Sequence, residues 1–179
     1  MGQQVSIGGK TFVVFLSALE IDAELHLLAE SLNNDFEGRN PLFISVLNGA
    51  FMFTADLLKK ITIPCELSFV KLSSYEGTGS SGEVKQLLGL KESLEGRNII
   101  ILEDIVDTGL TMKSILHQIN EGKPASVRVA TLLFKPSCLK VELDVHHACF
   151  SIPNKFVIGY GLDLDGYGRN LPDIYQLST

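Results

Sequence analysis

The segment IIILEDIVDTGLT, residues 99–111, sets the carboxylates of Glu103, Asp104 and Asp107 close to the hydroxyls of Thr108 and Thr111 and to Gly109. The apolar run reads as a buried strand ending in two adjacent acids, and the small-residue turn after it opens a helix. In open α/β sheets, ligands bind beyond the carboxyl ends of strands, so this strand end is the first place to look for a site. Backbone N–H groups from Asp107 to Thr111, with the two hydroxyls at a helix N-terminus, cradle a phosphate. The acids would repel that anion and need another task, for which ribose hydroxyls and a hydrated Mg²⁺ are suitable. One turn with both properties points to a sugar phosphate with a metal. An acidic first turn that merely complements the helix dipole would explain any single acid, but not the whole string.

Other chemistry-bearing residues are less informative. GTGSSG (77–82) matches G-x-G-x-x-G literally. A dinucleotide fingerprint must open a helix, however, and the following VKQLLG looks extended, so the string reads as a Gly/Ser loop between strands, suited to be a lid. His146 and His147 lack metal-ligand spacing with any Cys or Asp and read as surface or hood residues. Cys65, Cys138 and Cys149 form no CxxC pair, which suggests free thiols in a reducing cytosol.

The elements that must position these residues alternate along the chain. Ser17 and Glu20 have capping-box spacing, and Leu19, Ala23, Leu27 and Leu28 follow at helical intervals to about Asn33. LFISVL (42–47) suits a strand buried on both faces, and Asn48 and Gly49 turn the chain into a helical stretch from about Ala50 to Lys60. Residues 63–73, 97–102 and 127–133 read as further strands. The stretch 108–120 reads as a helix, with Gly122 as its C′ residue. Strands alternating with helices of this length imply an α/β fold, a parallel twisted sheet flanked by helices. The less periodic C-terminal third is expected to form a small hood over that sheet, within a single domain spanning 1–179.

Composition narrows the function classes. With 45% hydrophobic and 20% charged residues the chain is an ordinary globular one. A net charge of −6 argues against a nucleic-acid binder, and no apolar run is long enough to span a bilayer. The N-terminus lacks the pattern of a secretory signal. Gly2 and Ser6 match the short myristoylation pattern, which is too unspecific to carry weight. The expectation is a soluble cytoplasmic protein with no nucleic-acid or membrane partner.

ILEDIVDTGLT resembles the signature that binds phosphoribosyl pyrophosphate (PRPP) in type I phosphoribosyltransferases. Three further segments resemble the hypoxanthine-guanine branch of that family, so the likeness covers roughly residues 40 to 175. VLNGAFMF (46–53) resembles the pyrophosphate loop, with amides near Asn48 and Gly49 and a frequent non-proline cis peptide. SSYEGTGSSGEVK (73–85) resembles the mobile loop, with Ser74 and Tyr75 closing over the reacting centre. NKFVIGYGLDLDGYGRNLPDIY (154–175) resembles the purine segment. Asn48 stands where many relatives carry Lys or Arg, Leu110 where they often carry a polar or basic residue, and VHHACFSIP (145–153) differs from the usual approach to the purine segment.

The resemblance implies PRPP and a 6-oxopurine as substrates, Mg²⁺ as cofactor, and a homodimer or homotetramer. It assigns Glu103 and Asp104 to ribose hydroxyls or metal waters and Asp163 to the metal. Asp107 takes the role of general base at purine N7, and Lys135 that of donor to the 6-oxo group. Thr108, Gly109 and Thr111 surround the 5-phosphate, with Val106 and Leu110 as further substrate-binding residues, Phe156 stacks on the base, Val157 reads its edge, and Arg169 reaches the diphosphate. The competing implications are a xanthine- or pyrimidine-preferring transferase, and a PRPP-sensing RNA-binding regulator. The latter would need a basic face that this acidic chain does not display.

Overall fold

A computed structural model describes residues 4–74 and 85–178. The elements run β1 (Gln4–Ile7), β2 (Lys10–Leu16), α1 (Ala18–Asp35), β3 (Leu42–Leu47), α2 (Phe51–Leu58), β4 (Glu66–Ser74), β5 (Lys85–Leu88), β6 (Asn98–Val106), α3 (Leu110–Glu121), β7 (Ser126–Phe134), β8 (His147–Ser151), β9 (Val157–Ile158) and β10 (Ile174–Leu177). The large sheet has the order β5-β4-β3-β6-β7-β8. Its neighbours pair in parallel except β5, which runs antiparallel to β4. A second, antiparallel sheet of order β1-β2-β10-β9 forms the hood.

The large sheet is apolar on both faces because helices cover both. Phe43, Ile100 and Leu102 join the core on the side of α1 and α2, whereas Leu42, Ile44, Ile99 and Ile101 join the core beneath α3. The capping box that opens α1 is present: the Ser17 Oγ accepts from the Glu20 N–H at 3.3 Å, and Glu20 Oε2 accepts from the Ser17 N–H at 2.8 Å. Its buried stripe is Ile21, Leu25, Leu28, Ala29 and Leu32, while Leu19 and Leu27 stay exposed. Two stripes compete on this helix, and the bulkier one faces the sheet.

Several expectations change in detail. β4 begins at Glu66 rather than 63: Pro64 has no N–H to give the ladder, which opens where the Glu66 N–H donates to the Pro41 carbonyl at 3.0 Å. β6 continues past the two acids to Val106. Gly122 caps α3 at φ −74°, and the left-handed residue after it is Lys123. Glycine is required at 122 because a β-carbon there would sit 2.7 Å from that of Leu94. His146 and His147 do not belong to the hood: His147 opens β8, at the edge of the large sheet, and His146, just before it, accepts at Nδ1 from the Val129 N–H at 3.2 Å. The hood also draws on the N-terminal hairpin, where QVSI and KTFVVFL flank Gly8 and Gly9, both at positive φ.

Among the described residues, no helix is long and apolar enough to cross a membrane.

Candidate active site at the end of β6

β3 pairs with β6 only as far as Leu102, so β6 carries Glu103 and Asp104 past the last β3 contact. β3 runs on beside β4 to Leu47, and the 48–50 loop that follows passes against Asp104. Glu103 is 8% exposed, and its Oε2 is buried without a hydrogen-bond partner. Burial, reinforced by the neighbouring Asp104 charge, holds the Glu103 carboxyl well above the usual carboxylate range. Burial also raises Asp104, whose Oδ1 accepts from the Ile105 N–H at 2.8 Å and whose charge is favoured by nearby Arg169. A cavity of about 190 Å³ runs from Glu103 along the turn to Met112.

Gly109 is the N-cap of α3 at φ +78°, a conformation that costs glycine nothing. A β-carbon there would also press on Leu139 and Val141 at 3.0 Å. Its neighbour Thr108 accepts at its carbonyl from the Lys140 N–H at 2.9 Å, so the chain after β7 fixes the turn from behind. Val106 is buried beneath the turn, while Leu110 and Thr111 are exposed on the first turn of α3.

Lys135 follows β7 and is only 5% exposed. Its Nζ donates to Asp107 Oδ2 at 2.8 Å, and its backbone N–H donates to the Val106 carbonyl at 2.9 Å. A buried ammonium needs such a partner, and the partner is the acid at the start of the turn that leads into α3.

The opposite wall comes from the 48–50 loop and the hood. The Leu47–Asn48 peptide is cis, as expected for this loop, and Asn48 is exposed. A β-carbon on Gly49 would overlap the Asp104 carboxylate, and one on Gly161 would overlap the Gly49 carbonyl. The 48–50 loop is therefore held between the backbone at Gly161 and the Asp104 carboxylate. Arg169 donates from Nη1 to the Gly161 carbonyl at 2.6 Å and from Nη2 to Asp163 Oδ1 at 2.7 Å. Asp163 Oδ2 accepts from the Gly166 N–H at 2.7 Å, so both its oxygens are engaged within the hood. Phe156 leaves about half its surface exposed and its ring tilts against Phe12 at 6.2 Å, while Val157 is buried in β9. Ser74 ends β4, and Tyr75 with the 77–82 loop lies outside the described residues.

The structure thus gathers Glu103, Asp104, Asp107, Thr108, Gly109, Lys135, Gly49 and Arg169 around one cleft. It does not bring Asp163 to bear on the paired acids directly. Sequence reasoning overlooked Gly161, whose small size the approach to Gly49 demands; the GYG string at 159–161 was its signal. Among the described residues, no group of three or more acidic, His or Cys side chains could enclose a metal alone. The unpartnered, hard oxygen of Glu103 beside Asp104 still fits Mg²⁺, which binds through one or two carboxylates and completes its shell with water and substrate oxygens.

The profile of the Phosphoribosyl transferase domain matches residues 17–165. This chain belongs to the phosphoribosyltransferase family. The match starts well before residue 40, where the motif resemblance began. A hypoxanthine-guanine phosphoribosyltransferase of Streptococcus pneumoniae is 41% identical over 162 residues, 90% of each chain. The bifunctional protein TilS/HprT of Listeria monocytogenes is 43% identical over 162 residues, and there the chain spans 25% of the relative's length. The solved hypoxanthine phosphoribosyltransferase of Staphylococcus aureus superposes with a TM-score of 0.85 at 35% identity, covering 92% of this chain and 90% of that one. The fold is that of the type I phosphoribosyltransferases, and the relatives belong to the hypoxanthine-guanine branch that the motifs resemble.

Proposed function

We propose that this phosphoribosyltransferase moves the 5-phosphoribosyl group of PRPP onto hypoxanthine or guanine, releasing pyrophosphate, in purine salvage. The observation that carries the reading is the Lys135–Asp107 pair beside the anion-binding turn. It offers an ammonium donor for a 6-oxo acceptor and a carboxylate for the adjacent N7–H. Adenine presents a donor at position 6, so the Lys135 ammonium disfavours it.

In the transfer, the bond from the anomeric carbon to the diphosphate breaks and a bond to purine nitrogen forms. The base loses its N7 proton to Asp107. Amides and hydroxyls of Thr108, Gly109, Leu110 and Thr111, above buried Val106, hold the 5-phosphate at the start of α3. Glu103 and Asp104 would take the ribose hydroxyls and hold the waters of Mg²⁺, to which Asp163 would contribute from the hood side. When bound, Mg²⁺ supplies Lewis-acid stabilisation of the diphosphate. Amides at Asn48 and Gly49 and the Arg169 guanidinium bind the diphosphate, Phe156 stacks on the base, and Val157 reads its edge through the backbone. As the family resemblance implies, Ser74 and Tyr75, the latter outside the described residues, would shield the centre from water.

The whole chain acts as one domain in the cytoplasm, in keeping with free Cys65, Cys138 and Cys149. It associates with copies of itself as a dimer or tetramer through apolar surface such as exposed Phe51, Leu67 and Phe69. The test is incubation with PRPP, Mg²⁺ and a panel of bases, following nucleotide formation by absorbance. Conversion of hypoxanthine or guanine but not adenine is expected, and release of no pyrophosphate with any base would end the proposal.

A further inference from the structure

Residues 159–161 read Gly-Tyr-Gly, and all of them lie at positive φ, at +97°, +49° and +100°. The flanking glycines have steric reasons: a β-carbon on Gly159 would overlap the Asp173 carbonyl, and one on Gly161 the Gly49 carbonyl. Tyr160 has no such excuse. A bulky L-residue in the left-handed region is an outlier, which persists only where the surroundings fix it.

Two things fix Tyr160. Its ring is 4% exposed within the core beneath the hood, and its hydroxyl donates to Asp56 Oδ2 at 2.8 Å. Asp56 lies on α2, the helix that continues from the 48–50 loop, and its Oδ1 accepts from the Lys59 Nζ at 2.7 Å. Burial alone would raise the Asp56 carboxyl, but its bonds to Lys59 and Tyr160 outweigh that and lower it. Burial and the facing carboxylate push the Tyr160 phenol up, so the donor and the charged acceptor both persist at neutral pH.

The backbone of the same tripeptide organises the hood. The Tyr160 N–H donates to the Leu171 carbonyl at 2.8 Å, the Gly161 N–H to the Arg169 carbonyl at 2.9 Å, and the Gly161 carbonyl accepts from the Arg169 guanidinium. Anything that fixes Tyr160 to α2 therefore fixes Arg169 relative to the 48–50 loop.

We infer that the Tyr160–Asp56 hydrogen bond is a positioning clamp, setting the Arg169-bearing hood loop against the 48–50 loop so that both can grip one diphosphate. Tyr160 and Asp56 are positioning residues, neither of which touches substrate. The inference rests on the phosphoribosyl transfer proposed above.

Tyr160→Phe removes only the hydroxyl, and Asp56→Asn keeps an acceptor while removing its charge. A hydrogen bond to a charged group is at stake, so the KM for PRPP is expected to rise about tenfold in Tyr160→Phe. The rise should be smaller in Asp56→Asn, and the KM for the purine should hold nearly constant in both. Because the two residues act through one bond, adding Asp56→Ala to Tyr160→Phe should raise the KM for PRPP little further. The melting-temperature increase given by added pyrophosphate should shrink in parallel. An unchanged KM for PRPP in Tyr160→Phe, with wild-type transfer intact, overturns the clamp alone. Equal increases in both KM values also overturn it, since a general loosening would do that. If the wild-type protein transfers no ribose phosphate, both the clamp and the transfer reading fall.

Discussion

Gly49 lies so close to Asp104 that a β-carbon would overlap the carboxylate. The 48–50 loop and β6 are therefore locked in register by the absence of a side chain. Gly49→Ala must displace either the loop amides or the acid, and a misplacement of about 1 Å can cost about 10²-fold in rate. The expected result is a fall of that order in kcat/KM for PRPP with the far-ultraviolet circular dichroism spectrum preserved. A variant with wild-type kinetics would show that the close approach does not matter.

The Asp107–Lys135 pair makes two separable predictions. Asp107→Ala should lower kcat by at least about 10²-fold, the contribution typical of a positioned general base. Lys135→Ala should instead weaken oxopurine binding and erode the preference over adenine. Equal losses for all bases would contradict the role given to the ammonium.

Glu103 gives stability a pH dependence. Its carboxyl is raised in the folded protein, so between the ordinary carboxylate range and its own higher pKa the folded state holds more protons than the unfolded one. The stabilising contribution is present below about pH 4.3, the unperturbed value, and is lost as pH rises through the raised value. Without divalent cations the wild-type melting temperature should therefore decline over that interval more than that of Glu103→Gln, as read by calorimetry. Mg²⁺ binding requires the deprotonated acids, so its apparent affinity should strengthen over the same interval. Parallel melting curves for the two proteins would remove Glu103 as the source.

Ser17→Ala removes one half of the capping box of α1 and should cost about 1 kcal/mol of stability in urea unfolding. Activity per folded molecule should not change, because α1 supports the sheet from the face away from α3. A loss below about 0.3 kcal/mol would mean that solvent replaces the cap at no cost.

Much of the large sheet was legible because buried parallel strands are nearly uninterrupted apolar runs. LFISVL coincides with β3, and the small-residue turn after β6 does open a helix, α3. The spacing of Leu19, Ala23, Leu27 and Leu28 marked α1 as a helix but not its buried face, because two leucine-bearing stripes share it and only the sheet decides between them. β8 escaped because HACFS carries no apolar periodicity of its own; it is held by β7 and by α1 packed alongside. The proximity of Gly49, Asp104 and Gly161 could not be read locally, since it arises from segments far apart in sequence. Tyr160 and Asp56, separated by 104 positions, were unreadable for the same reason.

β2 and β10 are partners, with Leu16 opposite Ile174, so the hood joins segments far apart in the chain. During synthesis the acid strand and its turn are made long before β10 leaves the ribosome. A nascent chain thus owns the floor of the cleft but not its far wall, and Arg169 cannot be brought into place until almost the last strand is available. The far wall of the cleft therefore depends on β10, and deleting Ile174–Leu177 should remove catalysis while sparing the large sheet.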